Sequence, residues 1–200
     1  MPDWDEDSGK LSENLRKAYR LSRDEAHNRI LPGIDLARQW HTTMMDGLDV
    51  PGDQYVGNFR GEDGLEGCEV HIGVHQGTPS TLVSQELEEF EHTLQKAVSA
   101  LDQILPQGDA PSSRDKLNAV IELCAWVHSE WVRIHPFANG NGRTARIWTG
   151  FIAMRYGLPP FVKLRPRPDG GYGAACSKAM EGNWAPTAQV FRRMYLDVFL

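Results

Sequence analysis

A chain of 200 residues, 40% hydrophobic and 24% charged, holds enough apolar material for one buried core. Its formal charge of −6 argues against a nucleic-acid partner, which needs a basic face. No run is long enough to span a membrane, the acidic start Met1 to Asp7 is no signal peptide, and Cys68, Cys124 and Cys176 suggest neither disulfides nor zinc, so a cytoplasmic protein without a membrane partner is expected.

In chain order, periodicity predicts mostly helices. Residues 1 to about 10 read as loose. Ser22-Arg23-Asp24-Glu25 has the form of a capping box and predicts a short helix ending before Pro32. A second helix is expected from about Gly33 to Met45, burying Ile34, Ala37, Trp40 and Met44. Asp49 to Gly67 carries Pro51-Gly52 and Gly61-Glu62-Asp63-Gly64 and predicts an irregular connection. Cys68 to Val74 alternates enough to form a strand of a small hairpin. Leu87, Phe90, Leu94 and Val98 mark the inner face of a helix from about Val83 to Leu105. Ser113 is placed to cap the next, in which Leu117, Val120, Ile121, Cys124, Val127 and Trp131 recur at helical spacing up to Ile134. Another begins near Thr144 and stops at Gly157-Leu158-Pro159-Pro160. Two more, about Gly173 to Gly182 and Pro186 to Val198, close the chain.

The densest chemistry lies in His135-Pro136-Phe137-Ala138-Asn139-Gly140-Asn141-Gly142-Arg143-Thr144-Ala145-Arg146. Gly140 and Gly142 accept positive φ, so backbone N–H groups can converge into a concave nest. The helix that follows adds unpaired N–H groups and the positive end of its dipole. Arg143 and Arg146, three apart, emerge on one face and offer guanidinium forks to phosphate oxygens. The plain alternative is a glycine-rich helix start with solvated arginines. His135 closes the preceding helix, where dipole compensation alone would also favour it. A neutral imidazole there can act as general base toward a hydroxyl near pH 7. Pro136 breaks the helix, and Phe137 reads as a core anchor that fixes the loop. A base beside an anion site points to transfer of a nucleotidyl or phosphoryl group to a hydroxyl.

This run resembles the active-site motif of Fic-domain proteins, His-x-Phe-x-(Asp/Glu)-Gly-Asn-Gly-Arg-x-x-Arg, with one departure. The resemblance implies an all-α, Fic-type helical fold with a small β-hairpin flap beside the active site. Residues 35–198 would form that domain and residues 1–34 a helical extension. It implies AMP transfer from ATP to a Tyr, Thr or Ser hydroxyl of a target protein, with His135 as general base. The amides around Gly140, Asn141 and Gly142 and the Asn141 side chain would cradle the phosphates. Arg143 would meet the β- and γ-phosphates and Arg146 the γ-phosphate. His71-Ile72-Gly73-Val74 best matches the target-docking flap. Tyr172 stands where relatives place an aromatic near adenine, and reads equally well as core.

The departure is Asn139, where relatives carry the acid that holds Mg²⁺. A neutral carbonyl oxygen keeps the geometry without the charge, so Mg²⁺ is expected to bind with ATP but weakly, lowering turnover. Lys163, Arg165 and Arg167, interleaved with prolines, read as a solvated loop rather than the mouth of the nucleotide site. Ser177 to Gly182 fits the inhibitory pattern (Ser/Thr)-x-x-x-Glu-(Gly/Asn) of some relatives, yet reads as an inter-helix turn. Without an internal inhibitor, a small antitoxin protein is the regulatory partner the resemblance suggests. The alternatives are another Fic-type transfer (a different nucleotide, phosphocholine or the γ-phosphate), a nucleotide-binding module that has lost catalysis, and a helical interaction protein with a chance motif. The intact Gly140-Asn141-Gly142 speaks against γ-phosphate transfer.

Overall fold

Ser8 opens the first helix, its hydroxyl accepting from the Leu11 N–H at 2.9 Å, and α1 runs Gly9–His27. The computed structural model describes Trp4 and residues 8 to 199, without the Phe199 side chain. The loose segment expected at the start lies mostly outside those residues. The capping box read at Ser22 does not form. Ser22 is buried in mid-helix and its hydroxyl donates to the Tyr19 carbonyl at 3.0 Å. The reason is the apolar stripe, which passes through that point: Leu11, Leu15, Ala18 and Ala26 share its face, all buried. A stripe that runs about three turns before Ser22 and one turn beyond it outweighs one local cap.

Helix α2 is Ile34–Met45, started from extended Gly33. Asn14 of α1 donates to the Met44 and Asp46 carbonyls at 3.1 and 2.7 Å, closing its C-terminal end. After an irregular stretch come β1 (His71–Ile72) and β2 (His75–Gln76), antiparallel, with His71 opposite Gln76. The strand expected over Cys68 to Val74 is this short because Gly73, at φ 62°, turns the chain. Helices α3 (Val83–Ile104) and α4 (Arg114–Ile134) follow, the second capped by the Ser113 hydroxyl on the Lys116 N–H at 3.2 Å. Helix α5 is Asn141–Arg155, α6 Tyr172–Met180 and α7 Ala185–Phe199.

Apart from Gly142, every residue of α5 is buried, so this is the central helix and its sequence lacks an amphipathic stripe. It lies against α4, α1 and α2, while α6 and α7 cover the rest of α4. Trp148 of α5 meets Trp40 of α2 edge-on at 4.7 Å and Trp131 of α4 at 5.9 Å. Such aromatic pairs add about 1 kcal/mol each beyond their area burial. The all-α architecture with one small hairpin is therefore the fold, and no helix among the described residues is long and apolar enough to cross a membrane. Its effect is to fix the C-terminal end of α4 and the N-terminal end of α5 side by side in the core.

Candidate active site

Helix α4 ends at Ile134, and His135 takes a left-handed conformation (φ 54°, ψ 54°) as its C-cap, its N–H on the Trp131 carbonyl at 3.0 Å. A non-glycine residue costs about 1 kcal/mol there, so neighbours must hold it. Arg60 does so. Its Nε donates to the His135 carbonyl at 2.8 Å, and Nη2 to the carbonyls of Ile134 and Thr78 at 3.0 and 2.7 Å. Nη1 donates to the Cys68 carbonyl at 3.1 Å, and the Arg60 backbone N–H to that of Pro136 at 2.7 Å. The side chain is wholly buried, with Glu69 as counter-charge at 3.6 Å. Gly77 closes against this group: a Cβ there would lie 3.0 Å from the His135 Cβ and 2.9 Å from a Val70 methyl.

The His135 ring has its Nδ1 3.1 Å from the Val132 carbonyl. A carbonyl only accepts, so the proton sits on Nδ1 and Nε2 carries the lone pair. Burial pushes the imidazole down to about 4; the Val132 bond opposes this and the Arg60 charge adds to it. The ring is neutral at pH 7, as a base must be.

Past Pro136, Phe137 is fully buried and packs on Phe59 and Trp131. His41 of α2 stacks on it at 3.8 Å and 15°. His41 Nε2 donates to the Asn139 carbonyl at 3.1 Å and its Nδ1 accepts the Gly57 N–H at 3.0 Å. Asn141 binds the loop to itself: its Oδ1 accepts the Phe137 N–H at 2.9 Å and its Nδ2 donates to the Phe137 carbonyl at 2.7 Å. These bonds give the side chain a part in holding the loop, beside the phosphate contact expected of it. Gly140 stands at φ 81°, where a Cβ would meet the methyls of Met45 and Met44 at 2.8 and 2.9 Å. Only glycine fits, and it lets α5 begin at Asn141 rather than near Thr144.

The motif residues His135, Asn139, Gly140, Asn141, Gly142, Arg143 and Arg146 line one cavity of about 620 Å³. His71 and Ile72 of the hairpin join them, as does Tyr172, whereas Gly73 and Val74 form the turn, Val74 being 95% exposed. Tyr172 is itself only 2% exposed, its hydroxyl 2.7 Å from His128 Nε2 and 3.4 Å from Arg146 Nη1. Arg146 Nε donates to the Leu164 carbonyl at 3.1 Å, so the guanidinium is held on two sides. Arg165, half-buried, and Arg167, still exposed, also line the cavity, so the solvated-loop reading fails for Arg165, while Arg167 stands in solvent at the mouth; Lys163 is exposed outside it. His75 Nε2 lies 2.6 Å from the Ser177 hydroxyl and ties the hairpin to α6. Glu181 is exposed and paired with Lys178 at 2.8 Å, not with a motif arginine.

The model of the Fic/DOC family matches residues 33–153, from the start of α2 through most of α5. The chain belongs to the Fic/DOC family. It is 42% identical over 67 residues to protein adenylyltransferase Fic of Nematostella vectensis, covering 33% of this chain and 15% of that one. The protein of the same name from Drosophila virilis is 29% identical over 148 residues, 69% of this chain and 27% of the relative. The chain thus spans about a quarter or less of the length of these curated relatives. Among solved structures, a Fic-domain signaling protein of Bacteroides thetaiotaomicron superposes with a TM-score of 0.65 at 17% identity, over 94% of this chain and 69% of that one. BepC of Bartonella tribocorum, with AMPPNP bound, superposes with a TM-score of 0.63 at 20% identity, over 94% and 87%. At such identities these two show the fold.

The Mg²⁺ that membership in this family suggests can be tested against the residues present. Asn139 Oδ1 already accepts the Gly140 N–H at 2.5 Å and lies 3.4 Å from Arg143 Nη2. An oxygen that is neutral, bonded and next to a guanidinium is a poor ligand for a hard cation. Glu69, the acid lining the cavity, gives Oε1 to the Ser80 N–H and hydroxyl at 2.9 and 2.7 Å and turns Oε2 toward Arg60. Among the described residues no three His, Cys, Asp or Glu are grouped to hold a metal. The donor set does not fit a divalent cation.

Three buried histidines have a consequence for stability. Burial depresses His41 and His128 from 6.5 to about 3, and His135 to about 4. Each is neutral when folded but gains a proton in the unfolded chain as pH falls below 6.5. Stability is therefore full above that value and is lost as pH falls toward 3, by about 2 kcal/mol per histidine at about pH 5. Urea unfolding at pH 7 and 5 will show this drop, and His41→Asn will make it shallower; equal stabilities at the two pH values would contradict the burial.

Proposed function

We propose that this protein transfers AMP from ATP to a Tyr, Thr or Ser hydroxyl of a target protein. One observation carries the reading: a neutral imidazole with a bare nitrogen shares a cavity with a glycine-rich helix start and two held arginines. The adenylyltransferase names of the curated relatives and the AMPPNP bound to BepC support it.

In this reading, His135 Nε2 takes the proton of the target hydroxyl as its oxygen attacks the α-phosphorus. The new O–P bond forms, the bond to the bridging oxygen breaks, and pyrophosphate leaves with the electron pair. The first N–H groups of α5 lack carbonyls in a preceding turn and point to where the phosphates lie. Arg143 and Arg146 meet the charge of the departing pyrophosphate. Catalysis is then mostly positioning and fixed electrostatics. Two residues of hairpin edge, His71 and Ile72, are placed to align the target backbone by strand addition. With Glu181 paired to Lys178, a small antitoxin chain is the regulatory partner this reading favours. Cytoplasm, where ATP is abundant, is the matching location.

The test uses ATP labelled at the α- or γ-phosphate with cell lysate as target. Label should pass from the α-position only and vanish in His135→Ala. Transfer from the γ-position would make the protein a kinase, and ATP binding without transfer would make it a nucleotide-binding module.

A pH profile checks the base. His135 must be neutral to act, so activity is present above its pKa and lost as pH falls through about 4. Per folded molecule, kcat/KM should stay level between about pH 7 and about pH 5. A loss centred on 6.5, the ordinary histidine value, would contradict the assignment.

A further inference from the structure

The cavity carries more positive charge than its motif requires. Arg143 and Arg146 come from α5, and Arg165 and Arg167 enter from the segment that leads to α6. The Arg167 guanidinium lies 5.7 Å from the centre of the Tyr172 ring, and Arg193 of α7 donates to the Gly170 carbonyl, bracing that segment from behind. Against four guanidinium groups stands, among the described residues, one lining carboxylate, Glu69, whose oxygens are engaged by Ser80 and Arg60. Asn139, the position facing the phosphates in the motif, presents an amide oxygen occupied by N–H donors. The oxygens that would draw a cation in are already engaged, and what draws an anion in is doubled. Planar guanidinium forks pair with phosphate oxygens in bidentate fashion and stay charged at any working pH.

We propose that the site takes a nucleoside triphosphate free of divalent cation, with Arg165 and Arg167 as phosphate-binding residues that supply the charge a metal would otherwise bring. The inference rests on the reading of the cavity as a nucleotide site. A magnesium ion on the triphosphate would cancel part of the charge the arginines are placed to meet, and Asn139 returns no bond for it. Replacing Asn139 by aspartate would put a carboxylate beside Arg143, repel the bare triphosphate and create a cation ligand in one step.

Equilibrium binding of AMPPNP by calorimetry, in EDTA and in Mg²⁺, tests this without reference to turnover. Affinity should be highest in EDTA and fall by more than about twofold when Mg²⁺ is added, because the ion cancels charge that the arginines meet. The double variant Arg165→Gln/Arg167→Gln should weaken binding in EDTA by about tenfold or more, the size of lost charge-assisted hydrogen bonds, with its thermal melt unchanged. Lys163→Gln, outside the cavity, should leave binding as it is. Asn139→Asp should weaken binding in EDTA and gain it back with Mg²⁺. Binding that needs Mg²⁺ would overturn the proposal and leave AMP transfer standing. Binding in EDTA that ignores the double variant, or that Lys163→Gln weakens equally, would overturn the assignment of the two arginines. Failure to bind under either condition would sink both this inference and the function proposed above.

Discussion

A buried guanidinium must find an acceptor for its N–H groups without help from water, and Arg60 finds them on the backbone of three separated segments. One pair belongs to the end of α4, at Ile134 and His135; the others flank the hairpin, at Cys68 and Thr78. The left-handed turn at His135 and the flap are thereby joined through a single side chain, with the Val132 carbonyl holding the imidazole and Ser177 the hairpin. Removing it would strand several carbonyls in the core, and losses of about 3–5 kcal/mol are usual when such buried charged networks are broken. A base and a docking edge joined in this way keep one register relative to each other.

Around that joint the site is built from parts that each do one thing. His41 and Asn141 hold the loop, through Asn139 and Phe137, and spend their polar atoms in doing so. Gly140 lets the loop pass the Met44 and Met45 methyls and enter α5. Tyr172 and Leu164 hold Arg146. The groups that line the cavity include backbone N–H, guanidinium and the imidazole of His135. That inventory suits a polyanion and a hydroxyl, and it is poor in anything a metal would prefer.

What the sequence made legible was local. The motif from His135 to Arg146 is contiguous, and its glycines, proline and arginines carry their meaning in their order. Helices α3, α4, α6 and α7 announce themselves by apolar spacing or by caps such as Ser113. What stayed hidden depends on contacts far along the chain. Arg60 lies 75 residues from His135, and His41 lies 98 from Asn139; no spacing rule links either pair. Arg165 and Arg167 sit among prolines with no period, so only the folded cavity says which way they face. Ser22 misled because a capping signal was read without the longer stripe running through it.

The central claim is that His135 is held neutral with its proton on Nδ1 and its Nε2 bare toward the cavity. Nitrogen-15 NMR of the histidine rings in the folded protein at pH 7 reads this directly. The account predicts a protonated Nδ1 and an unprotonated Nε2 for His135. A doubly protonated ring, or a proton on Nε2, would contradict it.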